Sequence, residues 1–147
     1  ERLAGFEAAH QAHGVKIVPD LVRTESFLAD YAFQQTSILV SGRAPPTAIV
    51  AGGIDVLPGI LRALRTRGLR VPRDISIVAS SDSDLAQLSE PPITVESWDY
   101  AEVGRIAAQL VLERINRVGA GEPRRVLVPA DLVQRASCAP PPPPPKK

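Results

Sequence analysis

"TAIVAGGIDVLPGILRALRTRG", residues 47–68, contains a strand, a turn and a helix in one uninterrupted run. Thr47–Ala51 is a short apolar stretch of the kind buried in a parallel sheet. Gly52 and Gly53 end it. Leu57, Ile60, Leu61 and Leu64 then recur at helical spacing as far as Gly68, and Pro58 is tolerated because it falls in the first helical turn. A strand that enters a helix through a glycine turn also creates a place where a ligand can meet free backbone N–H groups. On these residues alone the turn is a phosphate cradle, a sugar site or only a tight bend.

The flanking sequence repeats the same alternation. "ERLAGFEAAHQAHG" (1–14) is an Ala-rich helix stopped by Gly14, and "VKIVPDLV" (15–22) is an extended apolar piece. Between Leu28 and Val40 the positions 28, 31, 32, 38 and 39 form a helical stripe interrupted by Gln35. "ISIVAS" (75–80) and "PPITVES" (91–97) read as strands, and "RRVLVPADLVQRAS" (124–137) as a last strand bent at Pro129. Asp99 and Glu102 form a capping-box-like pair ahead of the stripe Val103, Ile106, Ala107 and Leu110. Strands alternating with helices predict an α/β fold built on a parallel sheet. The run "PPPPPPKK" (140–147) cannot join a core and is expected to form an extended, disordered tail.

Composition narrows the function classes. The 147 residues suit one domain, and 44% apolar with 22% charged residues is ordinary for a globular protein. A net charge of +1 gives no electrostatic case for nucleic-acid binding by this piece. Cys138 is the sole cysteine, so no intrachain disulfide can form. No apolar run approaches the roughly 18 residues that span a membrane, and no secretory signal opens the chain. A cytoplasmic protein with no membrane contact is expected. Because the chain opens directly in a helix, it is also expected to be a fragment of something longer.

Chemistry is sparse. His10 and His13 are three apart on the first helix, but no further ligand completes a metal set. Cys138 has no histidine near it in sequence and is not read as a nucleophile. "SSDSD" (80–84) places Asp82 just past a strand's C-terminal end, where open α/β sheets bind ligands, although loop polarity and capping also explain it. No G-x-S-x-G surrounds either serine, and Gly52-Gly53 lacks the rest of a dinucleotide or P-loop signature. No catalytic residue, metal or cofactor is expected, and the chain is not read as an enzyme.

Four stretches, "RLAGFEAAHQAHG", "PPTAIVAGGIDVLPGILRALRTRGLRVPRDISIVAS", "PPITVESWDYAEVGRIAAQLVLERI" and "RRVLVPADLVQRAS", together resemble lac-repressor-type (LacI/GalR) transcription regulators in order and spacing, from Arg2 to Ala139. The resemblance implies a three-layer, parallel-sheet subdomain of the type I periplasmic-binding-protein-like fold, present as an incomplete fragment. Residues 1–139 would be the C-terminal part of the effector-binding domain, and 99–116 the helix that in the family packs on the other subdomain. Without that partner its apolar stripe would be exposed or packed elsewhere, and the fragment would tend to self-associate. The implied partners are a small sugar-like effector, a second copy in a homodimer, and operator DNA reached only through an N-terminal helix-turn-helix outside this chain. A periplasmic sugar-binding protein shares the fold and is the alternative. A small flavodoxin-like nucleotide-handling enzyme is the more distant one.

The resemblance also implies site residues. Arg2 would reach the effector, Phe27 would stack on it, Trp98 would sit at the hinge, and Gly53 of the turn would lie beside the cleft. The family's carboxylate after the "TAI" strand is expected at residue 54, where this chain has Ile54, with Asp55 following. The order predicts an effector that is less polar at that edge than a typical pentose or hexose, or one gripped from elsewhere. Read structurally instead, Phe27 is core, Arg2 a solvated helix start, and Asp55 an N-cap accepting a hydrogen bond from the first turn.

Overall fold

The computed structural model describes residues 2–116 and 123–141, so the tail positions 142–147 lie outside the described residues. Among the described residues, five α-helices and four strands follow one another. They are α1 (Arg2–Ala12), α2 (Ala29–Leu39), β1 (Ala48–Ala51), α3 (Val56–Thr66) and β2 (Ser76–Ser80), then α4 (Asp84–Leu88), β3 (Thr94–Ser97), α5 (Tyr100–Ile115) and β4 (Asp131–Val133). The sheet order is β1-β2-β3-β4. The first three strands are parallel, as expected, while β4 runs antiparallel to β3, with Glu96 opposite Leu132.

Register decides the core. Ile49 lies opposite Ile77, and Ala51, Ala79 and Val95 lie in one row, so these side chains share a face of the sheet. Leu57, Ile60 and Leu64 of α3 form one buried cluster with them. Burying such side chains is worth about 1.5–3 kcal/mol each. The alternate positions Val50, Val78, Thr94 and Glu96 share the opposite face, where Val50 is exposed. Helix α2 lies against α3 at Gly59, where an added Cβ would stand 2.0 Å from the Ala29 carbonyl oxygen. Arg62 ties the same pair together, donating to Asp30 at 2.7 Å and lying 4.4 Å over the Phe33 ring.

Gly68 ends α3 as its sequence position suggests. With φ at +67°, its N–H reaches Arg65 O at 3.1 Å and Leu69 N–H reaches Leu64 O at 2.9 Å, the paired bonds of a Schellman cap. Gly14 closes α1 the same way.

Several details differ from the sequence reading. The α2 stripe was expected at 28, 31, 32, 38 and 39, yet Leu28 and Ile38 are exposed, and the residues α2 buries are Ala32 and Thr36. Close approach to α3 at Gly59 leaves room for small side chains only, so size overrode the apolar pattern. "VKIVPDLV" forms no strand; it is irregular up to a single 3-10 turn at Pro19–Leu21. The last strand is confined to Asp131–Val133. Beyond it, the chain is stitched in by side chains: buried Ser137 Oγ donates to Ile77 O at 2.6 Å and accepts from Thr94 N–H at 2.8 Å. Asp99 does cap α5, accepting from Ala101 and Glu102 N–H, but only half the capping box forms. The Glu102 carboxylate takes Arg105 instead, through two hydrogen bonds. The α5 stripe buries none of its residues.

Candidate functional site

Parallel strands deliver their C-terminal ends to one edge, where the chain places Gly53, Ile54 and Asp55 after β1, Asp82 after β2 and Trp98 after β3. After β1 the chain turns through Gly52 and Gly53, with Val56 N–H bonded to Gly53 O at 3.3 Å. At Gly53 the turn lies close to Phe27: a Cβ there would stand 2.8 Å from Phe27 Cδ1, so the ring would have to shift. The Phe27 ring therefore rests on the turn and is 58% exposed, so it is not a core residue. Ile54 is also exposed, which puts apolar surface beside that ring.

Asp55 occupies the N-cap position of α3 but does not cap it. Its backbone is already helical (φ −80°, ψ −10°), and its side chain accepts no hydrogen bond from the first turn. A capping side chain needs an extended backbone to swing back over the helix end, and the Gly53–Val56 turn removes that geometry. The expected cap is thus replaced by an exposed carboxylate and a helix start without a side-chain acceptor.

At the end of β2, Ser81 holds a left-handed backbone (φ 82°), which costs a non-glycine residue of order 1–3 kcal/mol. Two contacts over-determine it. Its N–H donates to Glu96 O at 2.8 Å, and its hydroxyl is hydrogen-bonded to the Tyr100 hydroxyl. Asp82 follows, and Oδ2 accepts from Arg135 at 2.7 Å. Arg135 is itself fixed by donating to Ile93 O at 3.0 Å. The hydrogen bond from Arg135 holds the Asp82 carboxyl below the usual carboxylate range, against the opposing pull of partial burial, and the Gln87 amide adds to the lowering without reaching bonding geometry. The second oxygen, Oδ1, is buried without a hydrogen-bond partner among the described residues. In the rest of the "SSDSD" loop, Ser83 caps α4 by accepting from Ala86 N–H at 3.3 Å.

At the end of β3, Trp98 is partly buried, with its ring centroid 5.4 Å from that of Tyr100. The Arg2 guanidinium stands 5.9 Å from the Trp98 ring centroid, within cation–π range. The edge thus has an aromatic station after β1 (Phe27) and another after β3 (Trp98 and Tyr100). Strands lie about 4.8 Å apart, so the two strand ends are roughly 10 Å apart.

Tyr100 and Arg135 escaped the sequence reading. Tyr100 looked like an ordinary first-turn residue of α5. Arg135, in "LVQRAS", carried a usable signal, because an arginine inside an otherwise apolar strand segment calls for a buried acceptor. His10 bonds to its own helix at Phe6 O and packs on the Phe6 ring. Among the described residues no group of three or more His, Cys, Asp or Glu could hold a metal ion. No described helix is long and apolar enough to cross a membrane.

The periplasmic binding protein-like domain family matches residues 1–138. The chain is 33% identical over 105 residues to a lactose operon repressor of Rhizobium radiobacter, covering 71% of this chain and 91% of that protein. Its fold superposes on a transcriptional regulator CelR–cellobiose complex with a TM-score of 0.83 and 33% identity, over 93% of this chain and 42% of that one. It also superposes on a lac repressor dimer bound to operator and the anti-inducer ONPF, with a TM-score of 0.79 and 26% identity over 93% and 46% of the two chains. The chain spans about 40% of the length of two longer curated relatives, the regulator RegA of Clostridium saccharobutylicum and the repressor CytR of Escherichia coli. On the match from residue 1 to 138, this chain belongs to the periplasmic binding protein-like domain family, among the LacI-type transcriptional regulators.

Proposed function

We propose that this chain is the effector-sensing part of a LacI-type transcriptional repressor. A small sugar-like molecule bound at the strand ends would shift the protein between two arrangements that differ in operator affinity. DNA would be engaged by a helix-turn-helix outside these residues, in a cytoplasmic homodimer, and no catalysis is involved. The observation that carries this reading is the Phe27 ring set against Gly53 at the C-terminal edge of the sheet, with more than half of the residue exposed. It offers a flat apolar face at the place where open α/β sheets bind ligands. The cellobiose in the CelR complex, and the operator and anti-inducer bound to the lac repressor dimer, fit the same reading.

The test is operator binding by the full-length protein, followed by fluorescence anisotropy while candidate effectors are added. Phe27→Ala should leave basal operator affinity intact and weaken the effector response by about tenfold or more, in line with truncating a buried aromatic anchor. An unchanged effector response in Phe27→Ala and in Trp98→Phe would place the site elsewhere.

A further inference from the structure

The N-terminal edge of the sheet, opposite the edge that carries Gly53 and Trp98, holds an uneven charge. Thr47 leads into β1 and Ile75 into β2, and Ser76 N–H donates to Thr47 O at 2.9 Å, which fixes the two strand starts side by side. A cleft of about 130 Å³ opens there, walled by Val40, Pro45, Pro46, Leu69 and Ile75. That volume is close to the roughly 150 Å³ of an apolar cavity that accepts benzene. The segments framing the cleft, 41–47 and 65–75, carry five exposed arginines, Arg43, Arg65, Arg67, Arg70 and Arg73, against one acid, Asp74. The local excess is four positive charges in a chain whose net charge is +1. Asp74, on the cleft wall, is already committed: its oxygens accept from Arg70 N–H at 2.9 Å and from Arg73 Nε at 3.1 Å. Glu90, ahead of β3, is the next acid along this edge, and it too is exposed. Arg67 donates to the Ser41 hydroxyl, while Arg43 and Arg65 have no ion pair among the described residues. The C-terminal ends of α2 and α3 both lead into these segments. Their dipoles, about half a negative charge each, offset roughly one of the five cations.

We propose that this edge is a docking surface for an acidic peptide segment of another protein, with one apolar side chain in the cleft and flanking carboxylates on the arginines. The inference is independent of the effector reading, because it concerns the opposite end of the strands. Charge complementarity sets the sign of the partner, and the apolar cleft sets its kind. Arginine's planar fork pairs with a carboxylate through two hydrogen bonds. Each exposed pair contributes little alone, so the surface acts through several carboxylates at once. A nucleic-acid strand would supply phosphates, but its bases call for aromatic faces to stack on, and no aromatic residue lines the cleft.

The full-length protein is titrated into a fluorescein-labelled peptide, EEDLFEED, in 0.1 M salt, and binding is followed by anisotropy. The peptide should bind about tenfold or more tightly than QQNLFQQN, which lacks the charge, and than EEDGGEED, which lacks the apolar anchor. Raising the salt to 1 M shortens the screening length from about 10 Å to about 3 Å and should weaken binding about tenfold. Arg43→Glu combined with Arg65→Glu should remove the preference for the acidic peptide and leave basal operator affinity unchanged. Thermal melts check the fold of this variant, and Arg43→Gln with Arg65→Gln takes its place if charge reversal disturbs folding. An acidic peptide that binds no more tightly than the neutral one, or a preference that survives in the folded double variant, overturns the proposal. So does binding of EEDGGEED or of inorganic polyphosphate as tight as that of EEDLFEED, which would mark a general anion surface. Absence of binding by EEDLFEED overturns it as well, and a changed oligomeric state of the double variant in light scattering would then assign the edge to contacts between copies of this chain.

Discussion

Replacing Gly59 by alanine should destabilise the protein, although the same change in an ordinary helix stabilises it. Alanine is favoured over glycine in a helix interior by about 1 kcal/mol, partly because the unfolded chain loses freedom. At Gly59 the new methyl would stand 2.0 Å from Ala29 O, 2.9 Å from Ala29 C and 2.9 Å from Ala32 Cβ. Carbon and carbonyl oxygen approach no closer than about 3.3 Å even in favourable C–H···O contacts, so α2 must retreat by more than 1 Å. The obstruction is backbone, which cannot rotate away as a side chain can. Overpacking of this kind costs about 1–3 kcal/mol and occasionally more, and a 1 Å gap forfeits up to half of each dispersion contact along the seam. Near the top of that range, less the propensity gain, the net loss is about 2 kcal/mol. Gly104, within α5, is the matched control, since a Cβ there meets nothing within 4 Å. Urea unfolding followed by circular dichroism should show Gly59→Ala losing about 2 kcal/mol and Gly104→Ala gaining about 0.5–1 kcal/mol. Equal signs for the two variants, or a stabilised Gly59→Ala, would refute the close-contact account of the α2–α3 seam.

Ser137→Ala should cost about 2–3 kcal/mol in the same assay, because Thr94 N–H loses its acceptor and Ile77 O keeps only the weak Cys138 thiol donor at 3.4 Å. A loss below about 0.5 kcal/mol would show that water replaces the hydroxyl there. Asp82 makes stability depend on pH in one direction: its folded pKa is depressed, so its contribution is complete above the unfolded value of about 3.9 and is lost as pH falls through the lowered folded value. Melting temperature measured from pH 7 to pH 2 should therefore fall less steeply in Asp82→Asn than in the wild type; parallel curves would show the ion pair contributes nothing. Gly53→Ala should leave stability within about 1 kcal/mol, because the obstruction is an exposed ring that can rotate, yet it should change Phe27 aromatic shifts in NMR spectra and weaken effector binding.

Short local rules carried much of the reading. The run from Thr47 to Gly68 contains its own strand, glycine break, helical stripe and stop, and the structure places β1 and α3 there with the Schellman cap at Gly68. Asp99 likewise announces the start of α5, and its side chain accepts the two N–H groups expected of an N-cap. Both depend on residues within about four positions of one another, so periodicity and capping chemistry suffice. The edge that gathers Phe27, Gly53, Asp82 and Trp98 was legible in part, because strand C-termini in a parallel sheet must share an edge.

What the chain order alone determined, then, is the alternation of strands and helices, the glycine stops and the residues that reach the strand ends. Contacts between distant segments were decided only in three dimensions. Ala32 and Thr36 are buried in place of Leu28 and Ile38 because α3 approaches at Gly59 too closely for larger side chains. Asp82 is committed to a residue 53 positions away, and Ser137 stitches Thr94 to Ile77 across separations of 43 and 60. Asp55 fails as a cap because the turn it belongs to sets its backbone before its side chain can act. No local pattern encodes such pairings, since each depends on the distance and angle at which whole elements pack, and that geometry is fixed by the summed burial of the core.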